Sequence, residues 1–141
     1  MNDFNKQVIA DFISNGGKPG GHFKDAPILL LHAIGAKSGE ERTQPLMFLK
    51  EEGEGPWFVF ASYGGGPNDP AWFRNVVANP EFEISVGDGE KIERIPVRAR
   101  VLEGEERDTT YARQATLFPQ FAEYEKKTTR DVIPVVELSP R

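Results

Sequence analysis

The stretch "APILLLHAIGAKSGEERTQPLMFLKEEGEGPWFVFAS", Ala26 to Ser62, decides the fold. It holds three apolar runs with no helical segment between them. Ala26 to Gly35 is bounded by proline and glycine and reads as a buried strand. Thr43 to Lys50 reads as a second strand and the aromatic-rich Trp57 to Ser62 as a third. "EEGEGP", Glu51 to Pro56, carries two glycines and reads as a hairpin connection. Strands joined by short turns pair antiparallel, because a parallel pair needs a long crossover.

The flanking segments extend this pattern. Residues 3 to 14 read as a helix, with Phe4, Val8, Ile9, Phe12 and Ile13 at helical spacing. "NGGKPGG", Asn15 to Gly21, ends it. Core packing accounts for this helix; a lid over a site is the functional reading of residues 1–15. After Ser62 come three glycines, Gly64 to Gly66, and then "NDPAWFRNVVANP". Asp69 suits a helix N-cap and Pro70 the first helical position, and Trp72, Phe73, Val76 and Val77 form one apolar stripe. Glu81 to Val86 and Lys91 to Leu102 read as strands joined by a "GDG" hairpin. Arg94, Arg98 and Arg100 fall on one side of the latter strand, which a solvated face explains. Gly104 to Phe118 reads as a helix with an acidic first turn, Pro119 to Thr128 as a short helix or connector, and Asp131 to Leu138 as a last strand. The order is that of an α+β, mainly β chain: a small antiparallel barrel with helices at its rim.

Composition bounds the function. A chain of 141 residues fits one domain, residues 1–141. Cysteine is absent and the two histidines, His22 and His32, are far apart, which argues against a metal enzyme. A net charge of −5 argues against a nucleic-acid binder. The N-terminus lacks the apolar core of a signal peptide, and no apolar run approaches the ~20 residues that span a bilayer. The expectation is a cytoplasmic protein with at most peripheral membrane contact. Oligomeric state is left open.

Four features bear on chemistry. "GAKSGEERTQPL", Gly35 to Leu46, puts Lys37, Ser38, Arg42 and Thr43 into what reads as a glycine-bounded loop. It fails the Walker pattern, since Ala36 replaces the glycine before the lysine and a strand follows, yet its cations and hydroxyls suit a phosphate or carboxylate. The glycine run permits positive φ and close approach of backbone to a ligand, beside a helix N-terminus. Phe118, Phe121 and Tyr124, three apart, read as one side of a helical turn: core, or a wall for a flat ring with a phenol donor. His32 lies inside an apolar strand and reads as a hydrogen-bonded core histidine; no Ser-His-Asp arrangement is supported.

Three segments, "GAKSGEERTQPLMFL", "VFASYGGGPNDPAWFRNVVANP" and the stretch from "ARVLEGEERDTTYARQATLFPQFAEY" to "TTRDVIPVVELSP", resemble the deazaflavin-dependent nitroreductase family, whose members use coenzyme F420. The likeness runs from about Phe12 to the C-terminus. It implies a split β-barrel. It implies that Lys37, Ser38, Arg42 and Thr43 hold the cofactor's phosphate and acidic tail, and that Pro45 and Leu46 line the same groove. Ala61, Ser62 and Gly64 match the backbone edge beside the deazaflavin ring, and Ala71, Trp72 and Asn75 the flanking helix. Ser62 and Tyr124 match catalytic positions near the acceptor, with Phe118 and Phe121 beside them. The implied reaction is hydride transfer from reduced F420 to a quinone, a nitro compound or another activated acceptor.

Two departures stand out. Tyr63 replaces a lysine common in that family, and Phe118 and Phe121 replace tyrosines found in its nitro-reducing members. Fewer hydroxyls therefore face the acceptor, which favours quinones over nitroimidazoles. The alternatives are an FMN-using oxidoreductase of the same barrel class and a non-enzymatic carrier of F420 or a lipid.

Overall fold

A computed structural model describes residues 3–17, 27–50 and 56–141. The expected "EEGEGP" hairpin, the end of "NGGKPGG" and His22 lie outside the described residues. The chain runs α1 (Asp3–Ser14), β1 (Ile28–Ile34), β2 (Glu41–Lys50), β3 (Trp57–Phe60), a single 3-10 turn (Tyr63–Gly65), α2 (Ala71–Ala78), β4 (Glu81–Gly87), β5 (Ile92–Val101), α3 (Gly104–Leu117), α4 (Gln120–Lys127) and β6 (Val135–Pro140). The six strands close into an antiparallel barrel in the order β1-β2-β3-β6-β5-β4. The expected class, an α+β antiparallel barrel flanked by helices, is what the chain forms.

Alternation along the strands sorts the core into layers. Leu29, Leu31, Ala33, Val59, Ile84, Val97, Val136 and Leu138 point into the barrel. Trp72 and Val76 of α2 plug one end of that same core. On the outside, Val8 and Phe12 of α1 cover Ile28 and Leu30. Tyr111 of α3 and Phe121 of α4 cover Leu49, Phe58, Phe60 and Val135.

Several boundaries differ from the sequence expectation. β2 begins at Glu41, so Arg42, Thr43, Pro45 and Leu46 belong to a strand and only residues 35–40 turn. Asp69 does not cap α2, which starts at Ala71 with Pro70 as its cap; the Asp69 carboxylate pairs with Arg130 instead. The last strand starts at Val135. The α2 stripe is narrower than expected: Trp72 and Val76 are buried, whereas Val77 is exposed. Phe4 and Ile13 likewise leave the α1 stripe for solvent, because one curved sheet face contacts only the Val8–Phe12 side. The arginines of β5 are ion-paired: Arg94 with Glu41 and Glu83, Arg98 with Glu81, Arg100 with Glu106 and Glu137.

Candidate active site

The barrel parts where β2 runs on past β3. β2 pairs with β1 over seven residues, from Ile34↔Glu41 to Ile28↔Met47. It pairs with β3 only at Phe48↔Val59, Leu49↔Phe58 and Lys50↔Trp57. Continued, that register would set Leu46 against Ala61 and Pro45 against Ser62. The chain instead leaves the β2 ladder after Val59 and, past Phe60, enters the 3-10 turn. Residues 41–47 of β2 thus have a sheet partner on one side only.

Pro45 is the sequence feature that this seam explains. The Phe48 N–H donates to Pro27 O, on the β1 side. Alternation then turns the nitrogens of Met47, Pro45 and Thr43 toward the seam. A proline lacks the N–H that an inner strand needs, so it is tolerated where the strand is locally an edge. Thr43 to Leu46 border the seam on the β2 side, and the chain that follows β3 turns from it toward α4.

The register also separates residues that the sequence groups together. Residues directly opposite in an antiparallel pair share a face. Arg42 and Leu46 oppose Ala33 and Leu29 and take the barrel-interior side. Thr43 and Pro45 oppose His32 and Leu30 and take the outer side. Pro45 and Leu46 therefore present their side chains to opposite faces, and only their backbone is common to one seam.

At the end of the barrel that α2 plugs, the turn after β1 rests on that helix. Ala36 N donates to Asn75 Oδ1 at 3.0 Å, and Asn79 Nδ2 to Ile34 O at 3.2 Å. Asn75 is thus partly engaged in holding the turn. Ser38 Oγ accepts from Glu40 N. Lys37 is exposed and has no ion pair among the described residues, while Arg42 has only Glu40 at 3.9 Å, both side chains well exposed. Arg94, Arg98, Arg100, Arg107 and Arg130 are all committed to carboxylates, whereas Lys37 and Arg42 at this end are weakly neutralised.

The other predicted residues divide into accessible and packed. Ala61 is fully buried; its N–H donates to Pro134 O and its carbonyl accepts from Arg130. It shapes the edge without offering a donor. Ser62 is half-buried, and its hydroxyl makes no capping bond. Gly64, at φ +62°, faces open space, so a ligand can approach its backbone. Gly65 answers a different need. A β-carbon there would lie 2.9 Å from Tyr124 O and 3.0 Å from its Cα, so the glycine lets the turn press against the α4 backbone. Part of the close approach encoded by the glycine run is thus made to the protein's own helix.

Trp72 is spent on the barrel core, whereas Ala71 on the same helix is exposed. An open cavity of about 760 Å³ beside α2 is lined by Tyr63, Asn68, Asp69, Ala71, Phe73 and Arg74, among others. Phe118, Phe121 and Tyr124 do not share one helix: Phe118 ends α3, and α4 begins at Gln120. Phe121 is buried edge-on against Phe60 at 5.6 Å and Tyr111 at 6.3 Å. It supports Tyr124, 5.2 Å away, from behind. Tyr124 is half-buried, next to the turn that carries Ser62.

His32 sits on the outer face of β1, buried as expected and hydrogen-bonded: Nδ1 is 3.0 Å from Thr43 Oγ1 and Nε2 is 2.6 Å from Ser85 Oγ. Glu41 Oε1 lies 3.4 Å from Nδ1. The structure sets Ser85 and Glu41 on either side of His32, a grouping that contains no aspartate and that the sequence does not display. Sequence could not show it, because Ser85 and His32 are 53 residues apart and meet only through the β1–β4 register. Ser85 is held in the sheet on both sides, against Leu30 of β1 and Arg94 of β5. The group fixes Thr43 and joins three strands.

Burial holds the His32 pKa below its ordinary 6.5, aided by Arg94 and opposed by Glu41 and Glu83. Below pH 6.5 the unfolded chain takes up a proton that the folded chain refuses, so stability falls as pH drops from that value toward the lower, folded-state pKa. Unfolding measured from about pH 8 to about pH 5.5 is expected to show this slope, and His32→Gln to flatten it. An unchanged slope in the variant would assign the pH dependence to other groups.

Sequence reasoning missed Arg130 altogether. Its guanidinium, 9% exposed, bonds Ala61 O, Ser62 O and Asp69. The only available sign was an arginine next to the last strand.

Comparison with known proteins gives concordant results. The sequence model of the F420H(2)-dependent quinone reductases matches residues 5–140. An F420H(2)-dependent quinone reductase of Mycobacterium tuberculosis is 36% identical over 120 residues, 82% of this chain and 74% of that protein. Among solved structures, an F420-H2 dependent reductase (FDR-A) is 44% identical, with a TM-score of 0.66 over 84% of this chain and 99% of its own. A domain-swapped dimer is 40% identical, with a TM-score of 0.68 over 94% and 95%.

Proposed function

The chain belongs to the F420H(2)-dependent quinone reductase family, and from that premise we propose how its own residues carry out hydride transfer to a quinone-like acceptor. One observation supports the placement of the reaction. The β2–β3 ladder stops at Phe48↔Val59 and opens a seam edged by the β2 backbone, with two weakly neutralised cations at its end. A flat ring with an anionic tail fits that combination: the seam takes the ring, and Lys37 and Arg42 take the tail.

F420, when bound in its reduced form, supplies the hydride. Lys37 and Arg42 hold the acidic tail and Ser38 adds a hydroxyl contact, while Thr43, on the other face and bonded to His32, borders the groove through its backbone. Ser62 and Gly64 form the edge on which the ring lies, with Pro45 and Leu46 opposite through their backbone. Ala71 borders the groove, and Trp72 and Asn75 fix the position of α2. Ser62 Oγ orients the acceptor oxygen. Reduction of a quinone to its hydroquinone takes up one hydride and one proton. Tyr124 Oη donates that proton to the acceptor's oxygen and is reprotonated from solvent. Phe118 and Phe121 back the aromatic wall without hydroxyls, which favours quinones over nitro compounds.

Titration of the protein with F420, followed by fluorescence, and addition of menadione to the reduced cofactor test this reading. Binding and oxidation of the cofactor are expected; absence of both would sink it. Tyr124→Phe is expected to lower menadione turnover about tenfold, since solvent remains as a slower proton source, with little change in F420 affinity. Equal turnover in the variant would remove Tyr124 from the proton path.

A further inference from the structure

We propose that Arg130 is a positioning residue for this reaction, holding the two peptide units after β3 so that their N–H groups face the seam. The proposal rests on the assignment of the seam as the cofactor groove. Nη1 of Arg130 donates to Ala61 O at 2.9 Å and to Asp69 Oδ1 at 2.6 Å; Nη2 donates to Ser62 O at 2.6 Å. Nε donates to Thr128 Oγ1 at 3.2 Å, and that hydroxyl donates to Gly66 O at 2.9 Å. One buried side chain thus holds the start of the 61–69 segment, its end and, through Thr128, its middle.

The consequence follows from peptide geometry. In a trans peptide the carbonyl and the N–H point in opposite directions. The Ala61 and Ser62 carbonyls are gripped by Arg130, so the N–H groups of Ser62 and Tyr63 point away from it. Neither has an acceptor among the described residues. Ser62 is right-handed (φ −71°, ψ −40°), and Tyr63 follows at φ +46°. Such a right-then-left pair turns successive N–H groups into one concavity that attracts an electron-rich atom. Tyr63 is the one non-glycine residue with positive φ among the described residues, a conformation that persists only where the surroundings impose it. The guanidinium behind the carbonyls also polarises both peptides and strengthens their donors. Arg130 touches neither cofactor nor acceptor, and it acts through the backbone.

The test uses the full chain with Arg130→Lys, which keeps a charge for Asp69 but loses the fork, and Thr128→Val, which cuts the Gly66 link without disturbing the ion pair. In the ligand-free protein, amide exchange at Gly65 and Gly66, which donate to Ser62 O and Tyr63 O, is expected to quicken in both variants. In the folded enzyme, menadione kcat is expected to fall about tenfold in Arg130→Lys. F420 affinity is expected to change by less than about threefold there, because Lys37 and Arg42 still hold the tail. Exchange and kcat both unchanged would overturn the proposal. So would a lowered melting temperature with unchanged kcat per folded molecule, which would make the clamp structural only. If the wild type neither binds F420 nor reduces menadione, the cofactor assignment fails. Exchange in the ligand-free variants then decides the clamp separately.

Discussion

Replacing Lys37 and Arg42 together by alanine is expected to weaken F420 binding about a hundredfold, since each hydrogen bond to a charged group contributes about 1.5–3 kcal/mol and both side chains are partly screened by water. The two cations approach the seam from different elements, Lys37 from the turn after β1 and Arg42 from the first residues of β2. Arg42 loses little on its release from Glu40, because their contact is long and exposed. Neither side chain supports the core, so the melting temperature should stay within a few degrees of wild type. Fluorescence titration at low and high salt checks the result. Wild-type affinity should erode with salt, and the double variant's affinity should barely respond. An unchanged dissociation constant in the double variant would remove these residues from the cofactor site, leaving the fold and family unaffected.

Gly17→Ala is expected to have the largest effect on stability. Gly17 follows α1 at φ +92° and crosses directly over Gly87 at the end of β4. A β-carbon there would run into Gly87 Cα and come within 2.7 Å of its nitrogen. Both obstacles are backbone and cannot swing aside. The left-handed conformation costs an L-residue about 1–2 kcal/mol, and overpacking adds about 1–3 kcal/mol. The sum, about 2–5 kcal/mol, is a large share of a typical domain's stability. Gly16 O also accepts from Gly89 N, so the same crossing fastens α1 to the β4–β5 hairpin. Thermal unfolding should shift down by about 10 °C or more, or α1 should open locally with loss of amide protection around Val8 and Phe12. A melting temperature and α1 protection equal to wild type would show that the crossing is looser than described.

The sequence made the fold legible because its signals were local and periodic. Three strand patterns without intervening helices required antiparallel pairing, and the apolar run that His32 alone interrupts marked β1 as a buried strand. The helix at residues 104–117 and the break at Asn79-Pro80 were likewise written in neighbouring residues. The candidate site was legible only as a set of residue types. Lys37 and Arg42 stand out as cations near glycines, and Ser62 and Gly64 as the end of a strand.

What each residue does was decided by contacts between positions far apart in the chain. Asp69 has the residue type of a cap, yet a buried guanidinium 61 positions away competes for its carboxylate and wins. Phe121 has the spacing of a pocket wall, but the packing of α4 on β3 turns its ring into the core. His32 and Ser85 meet because β1 closes the barrel against β4. By itself, then, the sequence determined the strand order along the chain, the antiparallel class and the family, because periodicity and short motifs are properties of neighbours. Only the tertiary structure decided where the barrel parts, which face of β2 each side chain takes, and that Arg130 holds the edge of the seam. Strand register and the burial of one side chain by another are set when distant segments close on each other.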